Sequence, residues 1–192
     1  DPQDPNIDWI MPNNEDGILQ AVNYLVNLGH KKIGYLGLTK GMPAWEERYS
    51  GYKKALEKGG LVFDKNLVVE CLPAIEDSKF HLTNKLKKNV WDVPTAMICC
   101  NDSVAAGALK ACKKVNLKVP KQMSIVGFDD IHICLIVEPS LTTVKVPRQA
   151  LGEEAVKRII TRIKGEESLG MKIVLPTKLI IRESCRSIKG NM

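Results

Sequence analysis

Two adjacent carboxylates, Asp129 and Asp130, follow the apolar string SIVGF at 124–128. Such a run reads as a buried strand, and like charges at the tip of a buried element are costly unless donors meet them. Two other stretches lead into polar groups in the same way. TAMICC at 95–100 runs into Asn101-Asp102, and GYLGL at 34–38 leads through a loop to Arg48. A guanidinium can grip two neighbouring oxygens with its planar fork, an asparagine amide both donates and accepts, and a carboxylate accepts from hydroxyls or amines. Brought to one rim, Arg48, Asn101 and Asp129 would surround a small polar guest.

Other chemistries find less support. His30, His81 and His132 stand far apart in unrelated contexts, which argues against a metal or general-base role. The loop GLTKGMPAW matches neither glycine pattern that cradles phosphates, and no serine sits in a nucleophile elbow. Cys71, Cys99, Cys100, Cys112, Cys134 and Cys185 show no metal spacing, and Cys99-Cys100 ends a strand-like run whose neighbours point to opposite faces. They read as buried reduced thiols of a cytoplasmic protein. No cofactor and no metal are expected. One rival remains on the aspartates, since two carboxylates at a strand end can hold Mg²⁺ for phosphoryl transfer; a phosphate loop, a third carboxylate and a suitable lysine are not recognisable.

The elements that must position these groups alternate. Residues 15–28 place Ile18, Ala21, Val22, Leu25 and Val26 on one helical face, with Asn13 or Asn14 as cap and Gly29 as stop. The strand KIGYLGL follows, then a helix over 45–58 and the strand NLVVEC. A helix over 77–88 is capped by Asp77 or Ser78. TAMICC is apolar throughout, as expected of a central strand, and is followed by a helix that turns Ala105, Ala108, Leu109 and Cys112 to the sheet. SIVGF and LTTVKV are strands; 148–163 is a helix carrying Leu151, Ala155, Ile159 and Ile163 inward, and KIVLP and TKLIIRE close the chain as strands. Strand and helix in alternation imply an α/β fold, a doubly wound parallel sheet covered by helices, with a ligand beyond the carboxyl ends of the strands.

The chain has 192 residues, 44% of them hydrophobic, enough for one large domain or two small lobes. No run approaches the roughly 18 apolar residues of a membrane span, and residues 1–12 lack the basic and apolar parts of a signal peptide. The abrupt start at Asp1-Pro2-Gln3-Asp4-Pro5 has the look of a trimmed piece. A net charge of +6 invites a nucleic-acid reading, but Lys31-Lys32, Lys85-Lys87-Lys88 and Lys110-Lys113-Lys114 fall near helix ends, where cations favour the dipole, and no aromatics interleave with them.

In order along the chain, NNEDGILQAVNYLVNLGHKKIGYLG, ERYSGYKKAL, AMICCNDSVAAGALKA, VPKQMSIVGFDDI, EPSLTTVKVP and LGEEAVKRII resemble the effector-binding core of the LacI/GalR family of transcriptional repressors. The resemblance implies a periplasmic-binding-protein-like fold with one lobe nearly complete, 13–145 with 177–187. Residues 1–12 and 147–175 would be remnants of the other lobe, and 188–192 a tail. It also implies a small-molecule effector, a sugar by the family pattern, in a cleft between lobes, and a homodimer through the second lobe. DNA would be bound only by a helix-turn-helix that this chain lacks. Arg48 matches the arginine of the R-x-x-G-[YW] pattern with Gly51-Tyr52, Asn101 the ligand asparagine, and Asp129 the ligand carboxylate. Asp102 is then expected to cap the following helix, and Asp130 to take backbone amides of its turn. Leu72, Pro73 and Ala74 stand where a stacking aromatic is common, and Val146 where a polar residue is; Trp45 offers a replacement ring or packs into the core. HICLIVEP at 132–139, with Ile136 and Val137, would form an isologous patch together with Ala106 and Leu109. A two-lobed sugar-binding component of a transporter or chemoreceptor is the alternative of the same architecture.

Overall fold

The computed structural model describes residues 6–88, 92–165 and 169–189. The opening Asp1-to-Pro5 segment, the remainder of the tail at 190–192, and 166–168 within the 147–175 piece lie outside the described residues. The elements run β1 (Trp9–Pro12), α1 (Asn14–Asn27), β2 (Ile33–Leu36), α2 (Pro43–Lys58), β3 (Val68–Val69), α3 (Ile75–Leu86), β4 (Ala96–Cys99), α4 (Asp102–Lys114), β5 (Ser124–Asp129), α5 (Ile133–Ile136), β6 (Thr142–Lys145), α6 (Arg148–Ile163), β7 (Lys172–Leu175) and β8 (Lys178–Ile180).

Six strands form the main sheet in the order β3-β2-β4-β5-β6-β8. The first five are parallel, and β8 closes the edge antiparallel to β6, so the sheet is mixed rather than wholly parallel. β2 and β4 are buried at every residue, as their unbroken apolar runs require of strands covered on both faces. Helices pack as pairs, α1 with α2 and α3 with α4. Neighbouring residues of β5 tell their sides apart. A Cβ on Gly17 of α1 would touch the Phe128 ring, and a Cβ on Gly127 would touch Asp102 and Ala105 of α4. Successive strand residues face opposite ways, so α1 and α4 cover opposite faces.

Local chemistry shifts several boundaries. Pro43 opens α2 two residues before the periodic stripe, where its missing N–H costs nothing. NLVVEC shortens to Val68–Val69, because Lys65–Leu67 turn as a 3₁₀ helix capped by Asp64. Asp77 does not cap α3, which starts at Ile75; its carboxylate instead accepts from the Leu72 amide at 2.6 Å.

β1 and β7 pair in parallel as a separate two-stranded sheet, with α6 packed on β1 and Arg158 donating to Asp8 at 2.8 Å. Here the expected inner stripe of α6 holds for Leu151 and Ala155, which are half-buried, and fails in its second half. Ile159 and Ile163 are 59% and 79% exposed beside exposed Val156 and Ile160, since two strands cover only one face of the helix, which buries Arg158. Among the described residues no helix is long and apolar enough to cross a membrane.

Candidate functional site

The strand order reverses between β2 and β4, because chain connections run outward from β2 to β3 on one side and from β4 to β5 on the other. In a doubly wound sheet a crevice opens at the carboxyl ends of such a pair. The two ends lie close here: Cys100 N donates to Leu36 O at 2.9 Å, and Gly37, at φ +140°, has its would-be Cβ position against the Cys100 side chain. Only glycine fits that turn.

Arg48, on the second turn of α2, reaches into this crevice and is 5% exposed. Its Nε donates to Asn14 Oδ1 at 2.9 Å, Nη1 to the Cys100 carbonyl at 2.7 Å and Nη2 to Asp129 Oδ1 at 3.1 Å. The guanidinium lies 3.8 Å from the Phe128 ring centroid and 5.2 Å from that of Trp45. A desolvated cation over an aromatic face is attracted to it, which offsets part of the burial cost. Those three bonds use three of the five guanidinium N–H groups.

Asp129 thus meets Arg48, and the two strand-end charges find separate partners. Burial pushes the Asp129 carboxyl up, and Arg48 opposes that shift. The side chain keeps 30% exposure, so its second oxygen can accept from a guest. Asp130 does not take turn amides as expected. Its Oδ1 accepts from Arg182 Nη2 at 2.7 Å, and its carbonyl from Arg148 at 2.9 Å. With Asp129 at φ +108° and Asp130 at +53°, the turn is strained for non-glycine residues and is held by these outside partners. Each aspartate is matched by an arginine, so a divalent cation would have to displace a guanidinium from either. Among the described residues no group of three His, Cys, Asp or Glu side chains is placed to hold a metal.

Asn101, and not Asp102 as expected, caps α4. Asn101 Oδ1 accepts from Val104 N at 2.8 Å and caps α4, which leaves only its Nδ2 as a donor to a ligand. Asp102 turns inward, fully buried, where it accepts from the Ile131 amide at 2.9 Å and from the Thr143 hydroxyl. Burial pushes its carboxyl up to about 6. Cys99 and Cys100 are buried thiols, the latter pushed up to about 11 by the same cause.

Trp45 is partly buried against the core beside Arg48. Of the apolar patch, Leu135 and Ile136 are exposed at 63% and 65% and Val137 is half-buried, but Ala106 and Leu109, at 1% and 8%, are covered within the chain. The surface left for a partner is therefore narrower than expected. Sequence reasoning missed Asn14, which is 1% exposed, and Glu47 behind it. The signal was the Asn13-Asn14 pair: Asn13 takes the α1 cap from Asp16 N at 3.1 Å and leaves Asn14 free for Arg48. A groove of 520 Å³ opens beside them, lined by Met11, Asn14, Glu47, Lys172 and Val174 among others, and it does not include Arg48 or Asp129.

A family model of the periplasmic binding protein-like domain matches residues 22–185. The NTD biosynthesis operon regulator NtdR of Bacillus subtilis is 42% identical over 165 residues, covering 85% of this chain and 50% of that protein. The HTH-type transcriptional repressor PurR of Haemophilus influenzae is 36% identical over 187 residues, covering 95% and 55%. The HTH-type repressor CytR of Escherichia coli is 34% identical over 179 residues, covering 92% and 51%. The chain thus spans about half the length of these regulators. Among solved structures, a LacI transcriptional regulator of Bacillus cereus superimposes with a TM-score of 0.89 at 28% identity, covering 97% of this chain and 66% of that one. The regulator CelR in complex with cellobiose gives 0.87 at 28%, covering 94% and 54%. These relatives are transcription regulators, not enzymes. Match and geometry agree, and the chain belongs to the periplasmic binding protein-like family, as the effector-binding core of a LacI-family transcriptional regulator.

Proposed function

We propose that this chain senses a small polar effector, a sugar, and passes its binding to the DNA affinity of a helix-turn-helix outside these residues. The observation that carries the reading is the Arg48–Asp129 pair at the sheet's switch point. It sets a donor and an acceptor in direct contact at 3.1 Å, and the hydroxyls of a polyol can engage the free second oxygen of Asp129 or compete for the pair itself. Asn101 Nδ2 adds a second donor. Cellobiose in the related CelR structure supports a carbohydrate guest.

In this reading 13–145 with 177–187 form the second lobe, and 1–12 with 147–175 return from the first. Support comes from β1, β7 and α6 standing apart from the six-stranded sheet. The effector would bind one arrangement of the lobes more tightly than the other. By linkage that differential affinity, and nothing else, changes the hold on DNA. The protein works in the cytoplasm as a homodimer, with Leu135, Ile136 and Val137 as the contact.

A thermal-shift panel of sugars, sugar phosphates and nucleosides tests the site, because a ligand that binds only the fold raises its melting temperature by mass action. A sugar that stabilises the parent and not Asp129→Asn is the expected result. A ligand that stabilises both equally overturns the assignment.

A further inference from the structure

We infer that Asn14, backed by Glu47, is a positioning residue for the Arg48 guanidinium. The inference rests on Arg48 being the effector's arginine but concerns what holds it in the empty site.

The roles of the amide atoms follow from their partners. An arginine Nε can only donate, so the Asn14 atom facing it at 2.9 Å is the oxygen. Its Nδ2 then points away and donates to Glu47 Oε2 at 2.9 Å, and a carboxylate can only accept. Neither contact survives an amide flip, so the orientation is fixed by chemistry on both sides. Asn14 is 1% exposed and Arg48 5%, so the bond between them is shielded from water.

Of the three bonds on Arg48, the one to the Cys100 carbonyl fixes a single nitrogen, and the one to Asp129 is the contact a ligand would compete for. Asn14 grips Nε, the nitrogen nearest the rotatable stem, and so sets the plane of the fork before a ligand arrives. The geometry reaches further. Glu47 Oε1 lies 3.9 Å from Lys172 Nζ on β7, and Asn14 opens α1 directly after the β1 strand that pairs with β7. The guanidinium is thereby tied, through two side chains, to the two-stranded piece outside the main sheet.

The test needs no effector, so its failure is distinct from failure of the sugar reading. The ¹⁵N-labelled chain is followed by NMR for solvent exchange of the Arg48 Nε–H and for the titration of the Asp129 carboxyl, in the parent and in Asn14→Ser, Glu47→Leu and Glu47→Gln. Exchange at Nε should accelerate at least tenfold in Asn14→Ser and several-fold in Glu47→Leu. The Asp129 midpoint should move upward in both, because a swivelled guanidinium opposes burial less well. Glu47→Gln retains an acceptor for Asn14 and should match the parent. Unchanged exchange and an unchanged Asp129 midpoint in the Asn14 and Glu47→Leu variants overturn the proposal, as does a Glu47→Gln variant that behaves like Glu47→Leu. If Asn14→Ser does not fold, the two Glu47 variants decide alone.

Discussion

Arg48 and Asp129 stabilise the empty site as well as offering it to a guest. Removing the guanidinium leaves Asp129 without its cation, in a place where burial already raises it. Arg48→Ala should therefore lower stability by about 3–5 kcal/mol, the cost of breaking a buried pair from one side. Asp129→Asn, at the more exposed end, should cost clearly less; urea unfolding compares the two. Loss of ligand affinity in Arg48→Ala is interpretable only beside that measurement. Asp102 gives a second residue-level expectation. Its carboxyl ionises at about 6 in the fold and at 3.8 as a free side chain. It therefore takes up a proton on folding between those values, and its contribution to stability falls as pH rises from about 4 to 6 and stays low above. Asp102→Asn removes this slope, so the parent should gain stability relative to the variant as pH falls from 7 to 5. A constant difference across that range would mean that the carboxyl is not raised. Arg48, Asn101 and Asp129 could be singled out as candidates from the sequence because Asn101 and Asp129 stand at strand ends and Arg48 lies in the helix that follows one. Asn14 was not, because the Asn13-Asn14 pair does not say by itself which of the two caps α1 and which turns inward.

Elements explain why Asn101 rather than Asp102 caps α4. The first turn of α4 needs an acceptor for its free amides, and Asn101, in extended conformation just before it, is placed to supply one. That frees Asp102 to cross to β5 and β6, where Gly127 makes room: a Cβ there would run into Asp102 Oδ1 and come within 3.0 Å of Leu141. Glycine in a central strand normally weakens it, and here the close approach is its reason. Gly127→Ala should cost about 1–3 kcal/mol as an overpacked contact, and Asn101→Ala about 1 kcal/mol as a lost cap, both read from denaturant midpoints. A silent Gly127→Ala would detach Asp102 from the ligand-bearing turn. Periodicity located the helices that pack on the main sheet, because each has one clear apolar stripe. It failed for the second half of α6, where both flanks are apolar and no local signal tells which one β1 takes. The antiparallel sense of β8 was equally hidden, since direction depends on the path of the loops before it and not on the strand's composition.

Across the whole molecule, the exposed apolar surface is uneven. Val156, Ile159, Ile160 and Ile163 line one side of α6, and Leu135 with Ile136 project from the short helix α5. A stable fold with patches of this kind marks contact surfaces. If the α5 patch joins two copies, Ile136→Lys should sediment as a monomer at concentrations where the parent is a dimer, and an unchanged mass would remove that surface from consideration. The order of motifs along the chain made the class of fold readable, because several of them end at the same rim of one sheet. The depth of Ala106 and Leu109 was not readable, because burial depends on which elements of the fold pack against α4. The central claim is that Arg48, Asn101 and Asp129 receive one polar guest at the switch between β2 and β4. The most direct measurement is an NMR titration of the ¹⁵N-labelled chain with cellobiose, ribose and a set of other sugars, which registers even weak binding. Shifts should concentrate at Gly37, Asn101, Asp129 and the Arg48 side chain, and vanish in Asp129→Ala. Shifts centred on another face, or the same shifts in Asp129→Ala, would contradict the account.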